Sequence, residues 1–219
     1  SFSSDFGTTG KITVPSARFQ EDGTISANIA LGQITNIFNL TYQATPWLET
    51  TFRYSVFNPR EVEGSDDFLR DRSYGFKVRL VKETNKFPQV ALGVRDLLGT
   101  GSWASEYVVL SKNIGKFDAT LGVGWGRFAE RNSFANPLEF FSSNFRSRGD
   151  NASSGGEYGG KLRANSFFRG DAGLFAGLSY SHSSLPITHT ISYNSDQYNR
   201  ETNLGTLEFS KPISYEIEW

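Results

Sequence analysis

In LETTFRYSV, Leu48 to Val56, two residue classes alternate one for one. Leu48, Thr50, Phe52, Tyr54 and Val56 fall on one side of an extended chain, and Glu49, Thr51, Arg53 and Ser55 on the other. Side chains of a β-strand point alternately to opposite faces, so this period predicts a strand with one apolar and one polar face. A helix needs apolar residues three and four apart, and that spacing is missing.

The same alternation runs outward along the chain. In SYGFKVRL (73–80), Tyr74, Phe76, Val78 and Leu80 oppose Ser73, Gly75, Lys77 and Arg79. In QVALGVR (89–95), Val90, Leu92 and Val94 oppose Gln89, Ala91, Gly93 and Arg95. Extending the pattern predicts eleven strands, near 24–32, 36–44, 48–57, 72–82, 89–97, 104–112, 117–126, 172–182, 187–194, 204–211 and 213–219. Most have the length of about 9–11 residues that a tilted strand needs to cross a bilayer. Strands of ordinary globular domains are shorter, about 5–6 residues.

The connections alternate as well. TPW (45–47), TNKFP (84–88), NIGK (113–116), SSLP (183–186) and KP (211–212) are short. Between them lie 58–71, 98–103, 127–171 and 195–203, with the first hairpin (33–35) as an exception. Short turns at one end and longer loops at the other are the asymmetry of an outer-membrane barrel. The expected fold is therefore all-β: an antiparallel transmembrane β-barrel with about 10–12 strands in this chain. Residues 1–23 form an N-terminal lead-in, 24–219 the barrel, and 127–171 a long loop that lies outside or plugs the lumen. A strand at 213–219 leaves an edge at the chain's end, so further polypeptide is expected to complete the sheet.

KFDATLGVGWGRF (116–128) looks at first like a phosphate loop. A dinucleotide fingerprint needs G-x-G-x-x-G opening a helix; here the third glycine comes one residue early and no helical pattern follows. Gly122, Gly124 and Gly126 share one strand face, the lumen side, and predict a bare inner wall.

Composition excludes several function classes. The net charge of −1 argues against a nucleic-acid binder. The absence of Cys excludes disulfides, thiolate metal sites and Cys nucleophiles. With no Met in the sequence, a processed or excised piece is expected. No apolar run approaches the roughly 18 residues of a transmembrane helix.

Candidate chemistry sits mainly on the polar face. Arg53, Lys77, Arg79 and Arg95, with Glu49 and Asp118 on the same side, form a lumen surface whose cationic stripe is suited to contact an anionic polymer; the competing reading is an internally paired interior. Phe38, Tyr42, Trp47, Tyr54, Tyr74, Trp125 and Tyr180 are expected outward as interfacial girdles. His182 and His189 are expected across from each other on a hairpin turning at Leu185-Pro186, at the interface and without a third metal ligand. Ser181, Ser183 and Ser184 lack an elbow motif, so no catalytic residue, metal or cofactor is expected.

Beyond these patterns, DFGTTG (5–10), VPSAR (14–18), DGT (22–24), PWLETTFRY (46–54), RSYGFKVRL (72–80), VALGVRDLLGTG (90–101), SEYVVLSK (105–112), FDATLGVGWGR (117–127) and FRGDAGLFAGL (168–178) occur in the order seen in one family. The chain resembles the N-terminal part of the YjbH-like (GfcD-like) exopolysaccharide and capsule outer-membrane proteins. The resemblance implies a β-barrel in the bacterial outer membrane that assists polysaccharide secretion or assembly, touching lipid and polysaccharide. It also implies small periplasmic and lipoprotein partners, a longer whole protein, and no catalytic motif. The alternative is a general diffusion porin or an adhesin-like surface barrel.

Overall fold

A computed structural model describes residues 2–4, 6–31, 35–57, 69–99, 103–148, 164–197 and 211–219. Three short N-terminal strands, β1 (Phe2–Ser3), β2 (Thr9–Lys11) and β3 (Val14–Pro15), form a small antiparallel sheet. Ten longer strands follow: β4 (Ile25–Leu31), β5 (Thr35–Thr45), β6 (Leu48–Phe57), β7 (Leu69–Val81), β8 (Gln89–Leu97), β9 (Ser105–Ile114), β10 (Phe117–Gly126), β11 (Ala172–Ser181), β12 (Thr188–Tyr193) and β13 (Ile213–Glu218). They make one antiparallel meander in which each strand pairs with its sequence neighbour. Among the described residues no helix is long and apolar enough to cross a membrane.

Ten of the expected strands are present, within a few residues of their expected ends. The expected strand 204–211 lies outside the described residues except for Lys211, and β13 pairs directly with β12. Pro212 lies at the long-loop end of the sheet rather than among the short turns, its carbonyl accepting from the Asn194 amide. The connections 46–47, 82–88, 115–116 and 182–187 gather at one end, and the longer ones at the other.

The two faces of the sheet are inverted relative to a soluble sandwich. On β6, Glu49, Thr51, Arg53 and Ser55 are buried, while their apolar neighbours are only half-buried. Ile29, Leu121 and Leu174 are 61%, 51% and 47% exposed, whereas Lys77 is 0% exposed. The polar face is concave: residues 4–20 lie against it and bond to side chains of β5 through β12. A flat sheet cannot bring so many strands to one short segment.

A closed barrel, the expectation from sequence, is not what the sheet shows. Closure requires β4 and β13 to exchange hydrogen bonds. Among the described residues β4 pairs with β5 alone and β13 with β12 alone.

Candidate functional site in the occupied interior

The N-terminal segment is shaped by its own turns before it meets the sheet. Ser4 and Thr8 close a loop, with the Ser4 amide donating to the Thr8 carbonyl at 2.8 Å. At Gly10 the chain doubles back so tightly that a Cβ would sit 2.3 Å from the Val14 carbonyl oxygen, and only glycine fits. Pro15 follows within β3, where its fixed φ suits the extended chain.

Charge pairing holds this segment in place. Lys77 and Glu49, both fully buried, pair at 3.2 Å. Lys77 Nζ also donates to the carbonyls of Thr9 (3.1 Å) and Arg18 (2.7 Å), while Glu49 accepts from the Thr9 amide (3.0 Å) and hydroxyl. A buried ion pair is tolerated when further hydrogen bonds complete each charge, and here the segment's backbone supplies them. Toward the short-turn end, Asp118 binds both Lys11 (3.1 Å) and Arg18 (2.8 Å), and Arg18 reaches Glu83. Burial pushes the Lys11 ammonium below its ordinary value, against the opposing pull of Asp118. Burial pushes Glu83 up, but hydrogen bonds from Arg18 and the Asn113 amide, with the Arg18 and Lys112 charges, outweigh it and hold the carboxyl low.

A second anchor is aromatic. Phe6 packs edge-on against Trp103, and the guanidinium carbons of Arg53, Arg95 and Arg127 lie 4.4, 4.2 and 5.6 Å from its ring centre. Cations over ring faces in a dehydrated interior attract more strongly than at a surface. Arg53 and Arg127 also lie 4.3 and 4.5 Å from Trp103. Of the four cations singled out from sequence, Arg53, Lys77 and Arg95 are thus engaged with residues 4–20. Arg79 is half-buried, 5.9 Å from the Phe19 ring.

The glycine wall is filled by rings. Gly122 faces Phe175 across the β10–β11 ladder, and a Cβ there would sit 2.1 Å from that ring. At Gly124 it would meet Phe128 at 2.4 Å. Phe128 stacks on Phe175 at 4.6 Å, with Tyr107 edge-on to both, and Val14 and Ala17 of the N-terminal segment complete this cluster. What packs against the wall is therefore the protein's own aromatic core.

Loops seal the opposite end. Arg148 grips Glu106 through two hydrogen bonds of 2.6 and 2.7 Å, and the Phe168 amide donates to the same carboxylate. Phe168 also covers Trp125, which is buried rather than exposed as a girdle residue. Phe38, Tyr42, Trp47 and Tyr74 are exposed as expected, and Tyr54 and Tyr180 half-buried. Arg127 pairs with Asp196 at 2.8 Å, and Glu130 accepts from the Gln197 amide. Burial, then the Asp196 charge, pushes Glu130 up to about 7.

His182 and His189 are not directly across from each other. The register sets His189 opposite Tyr180, so the histidines meet on the diagonal, with ring centres 5.2 Å apart. His189 Nδ1 instead hydrogen-bonds the Tyr215 hydroxyl. No group of three metal-ligating residues occurs among the described residues.

The order of these segments now has a counterpart in known proteins. A family model described as "Exopolysaccharide biosynthesis protein YbjH" matches residues 2–219. The chain belongs to this YjbH family. It is 34% identical over 203 residues to a protein of Escherichia coli (strain K12) named "Uncharacterized lipoprotein YjbH", covering 90% of this chain and 28% of that protein. The chain thus spans under a third of the length of that curated relative. No solved structure matches. The match takes in the N-terminal segment, so the interior occupant falls within the family's own sequence.

Sequence reasoning missed that occupant. Lys11 and Arg18, two cations in a segment without amphipathic period, were the available signal, because lumen carboxylates such as Glu49 and Asp118 need partners.

Proposed function

We propose that this chain forms a β-barrel region in the outer membrane of a Gram-negative bacterium and assists secretion or assembly of an exopolysaccharide without catalysing a reaction. The observation that carries the membrane reading is the inverted sheet, with Ile29, Leu40, Leu121 and Leu178 exposed on the convex face and charges buried within. In water that face is an apolar patch without a partner; in lipid it is the band a barrel requires. The exopolysaccharide role is supported by the family to which the chain belongs. Expected contacts are membrane lipid, the polysaccharide, and periplasmic or lipoprotein components of a secretion system, with further polypeptide completing the sheet. In this reading Arg53, Lys77 and Arg95 serve first as anchors for residues 4–20, and Arg79 is the cation of that set open to a polymer.

A general diffusion pore is the weaker reading, since the concave face is occupied from β5 to β12. Outer-membrane fractionation and heat-modifiable migration in SDS gels test the membrane reading; a soluble protein with unmodified migration would contradict it. Deletion of the gene tests the polysaccharide role. Reduced surface polysaccharide is expected, and unchanged polysaccharide with altered small-solute uptake would favour the pore.

A further inference from the structure

Between the N-terminal segment and strands β10 to β13 the interior is not filled. A cavity of about 390 Å³ opens at the short-turn end, within the range of about 300–1,000 Å³ typical of ligand sites. Its floor is built by strand register. Asp118, Ser179, Thr190 and Glu216 are successive cross-strand partners, and Ser181, Thr188 and Glu218 form a second row beside them. Its roof is the N-terminal segment, with Lys11, Arg18 and the ring of Phe19.

The charges in this cavity do not balance. Lys11 and Arg18 are both bound to Asp118, and Arg18 also to Glu83. Glu216 and Glu218 have no salt-bridge partner among the described residues. Ionised carboxylates accept hydrogen bonds and donate none, so a ligand seated here must bring donors. The hydroxyls of Ser179 and Thr190 bond to each other at 2.9 Å, as do those of Ser181 and Thr188 at 3.1 Å. Ser179 also accepts from Lys11 Nζ at 2.8 Å, whereas the Thr190, Ser181 and Thr188 oxygens each keep a lone pair for a further donor. A uronate or other acidic sugar meets two carboxylates, while the cations that line the cavity, Lys11 and Arg18, are already bound to Asp118.

We propose that this cavity is a saccharide subsite selective for amino sugars bearing a free ammonium group. The ammonium sits between Glu216 and Glu218, the ring hydroxyls contact the serine and threonine rows, and the apolar face of the sugar lies toward Phe19. This deepens the polysaccharide reading above and rests on it for the class of polymer. The cavity's own chemistry selects within that class.

The test is binding of three trisaccharides to the purified full-length protein in detergent, measured by calorimetry: a glucosamine trimer, an N-acetylglucosamine trimer and a galacturonic acid trimer. The glucosamine trimer is expected to bind tightest, with affinity falling as salt is raised, and the galacturonate trimer not at all. The Glu216→Gln, Glu218→Gln double variant is expected to weaken glucosamine-trimer binding about tenfold or more, the loss of charge-assisted hydrogen bonds. Lys86→Gln, in an exposed turn, serves as the control of unchanged affinity. Because Glu216 is exposed and Glu218 only half-buried, the double variant should keep its heat-modifiable migration. Equal binding of the galacturonate trimer, unchanged affinity in the double variant, or no binding of any trimer at millimolar concentration would overturn the subsite. An unchanged surface polysaccharide on gene deletion would instead overturn the export role while leaving a measured affinity standing.

Discussion

Two parts of one concave face are treated in opposite ways. Across β6 to β8 the N-terminal segment lies directly on the sheet, and Glu49 and Lys77 are completed by its backbone. Across β11 to β13 the same segment reaches Ser179 through Lys11 and Ser192 through Thr13 but leaves a cavity toward the short-turn end, where Glu216 and Glu218 have no salt-bridge partner among the described residues. The first region is sealed because its charges cannot be left without partners in a dehydrated interior. The second stays open because Glu216 and Glu218 reach water and need no internal partner. Where the segment seals, the sheet is a scaffold; where it stands off, the sheet presents a surface to a ligand.

The largest effect is expected where the seal is electrostatic. Lys77→Ala leaves Glu49 buried without its cation and should destabilise the protein by about 3–5 kcal/mol, read as a shift of the urea unfolding midpoint in detergent. Glu49→Gln combined with it should cost clearly less than the sum of the two single changes, since the residues act as one unit. Equal, additive losses would break the contrast between the sealed and open regions. Phe6→Ala removes the ring shared by three guanidiniums and should cost about 3 kcal/mol. It should also raise amide hydrogen exchange across residues 4–20 more than across β12 and β13.

Smaller effects sharpen the picture. Gly122→Ala drives a methyl into the Phe175 ring and should cost about 1–3 kcal/mol, whereas Gly115→Ala changes a turn with open space around it and meets only its positive φ of 61°. Glu130 supplies a pH test at the loop end. Its folded value is raised from 4.5 to about 7 by burial and by Asp196, so the folded state holds its proton more tightly than the unfolded chain. The stability it contributes is full below 4.5 and is lost as pH rises through about 7. Protection of the Gln197 amide should fall across that window and become flat in Glu130→Gln. At the surface, Arg146→Ala breaks an exposed pair with Glu139 and should change stability by less than about 1 kcal/mol.

Most of the sheet was legible in the sequence because alternation is a local signal. Along Leu48–Val56 and Ser73–Leu80 the faces follow from the alternation, and the polar face of Arg53, Lys77 and Arg95 is the concave one. What the alternation does not carry is what fills that face. Residues 4–20 have no repeating pattern, and their meaning lies in partners 23 to 181 positions away, such as Gln43 with Gln20, Thr9 with Glu49 and Asn194 with Thr13. The His182–His189 register was missed for a related reason: the 182–187 turn shifts the pairing by two residues, and no turn residue announces the shift. The burial of Trp125 likewise depends on Phe168, more than forty residues away along a loop without period.

The central claim is that the apolar convex face meets lipid while the charged concave face is closed by the protein's own N-terminal segment. Nitroxide labels at Leu40, Leu121 and Leu178, with Lys86 as an aqueous reference, test it in lipid vesicles through collision with oxygen and with a water-soluble nickel chelate. The three convex labels should be open to oxygen and shielded from nickel, and the reference the reverse. Convex labels as open to nickel as Lys86 would contradict the claim.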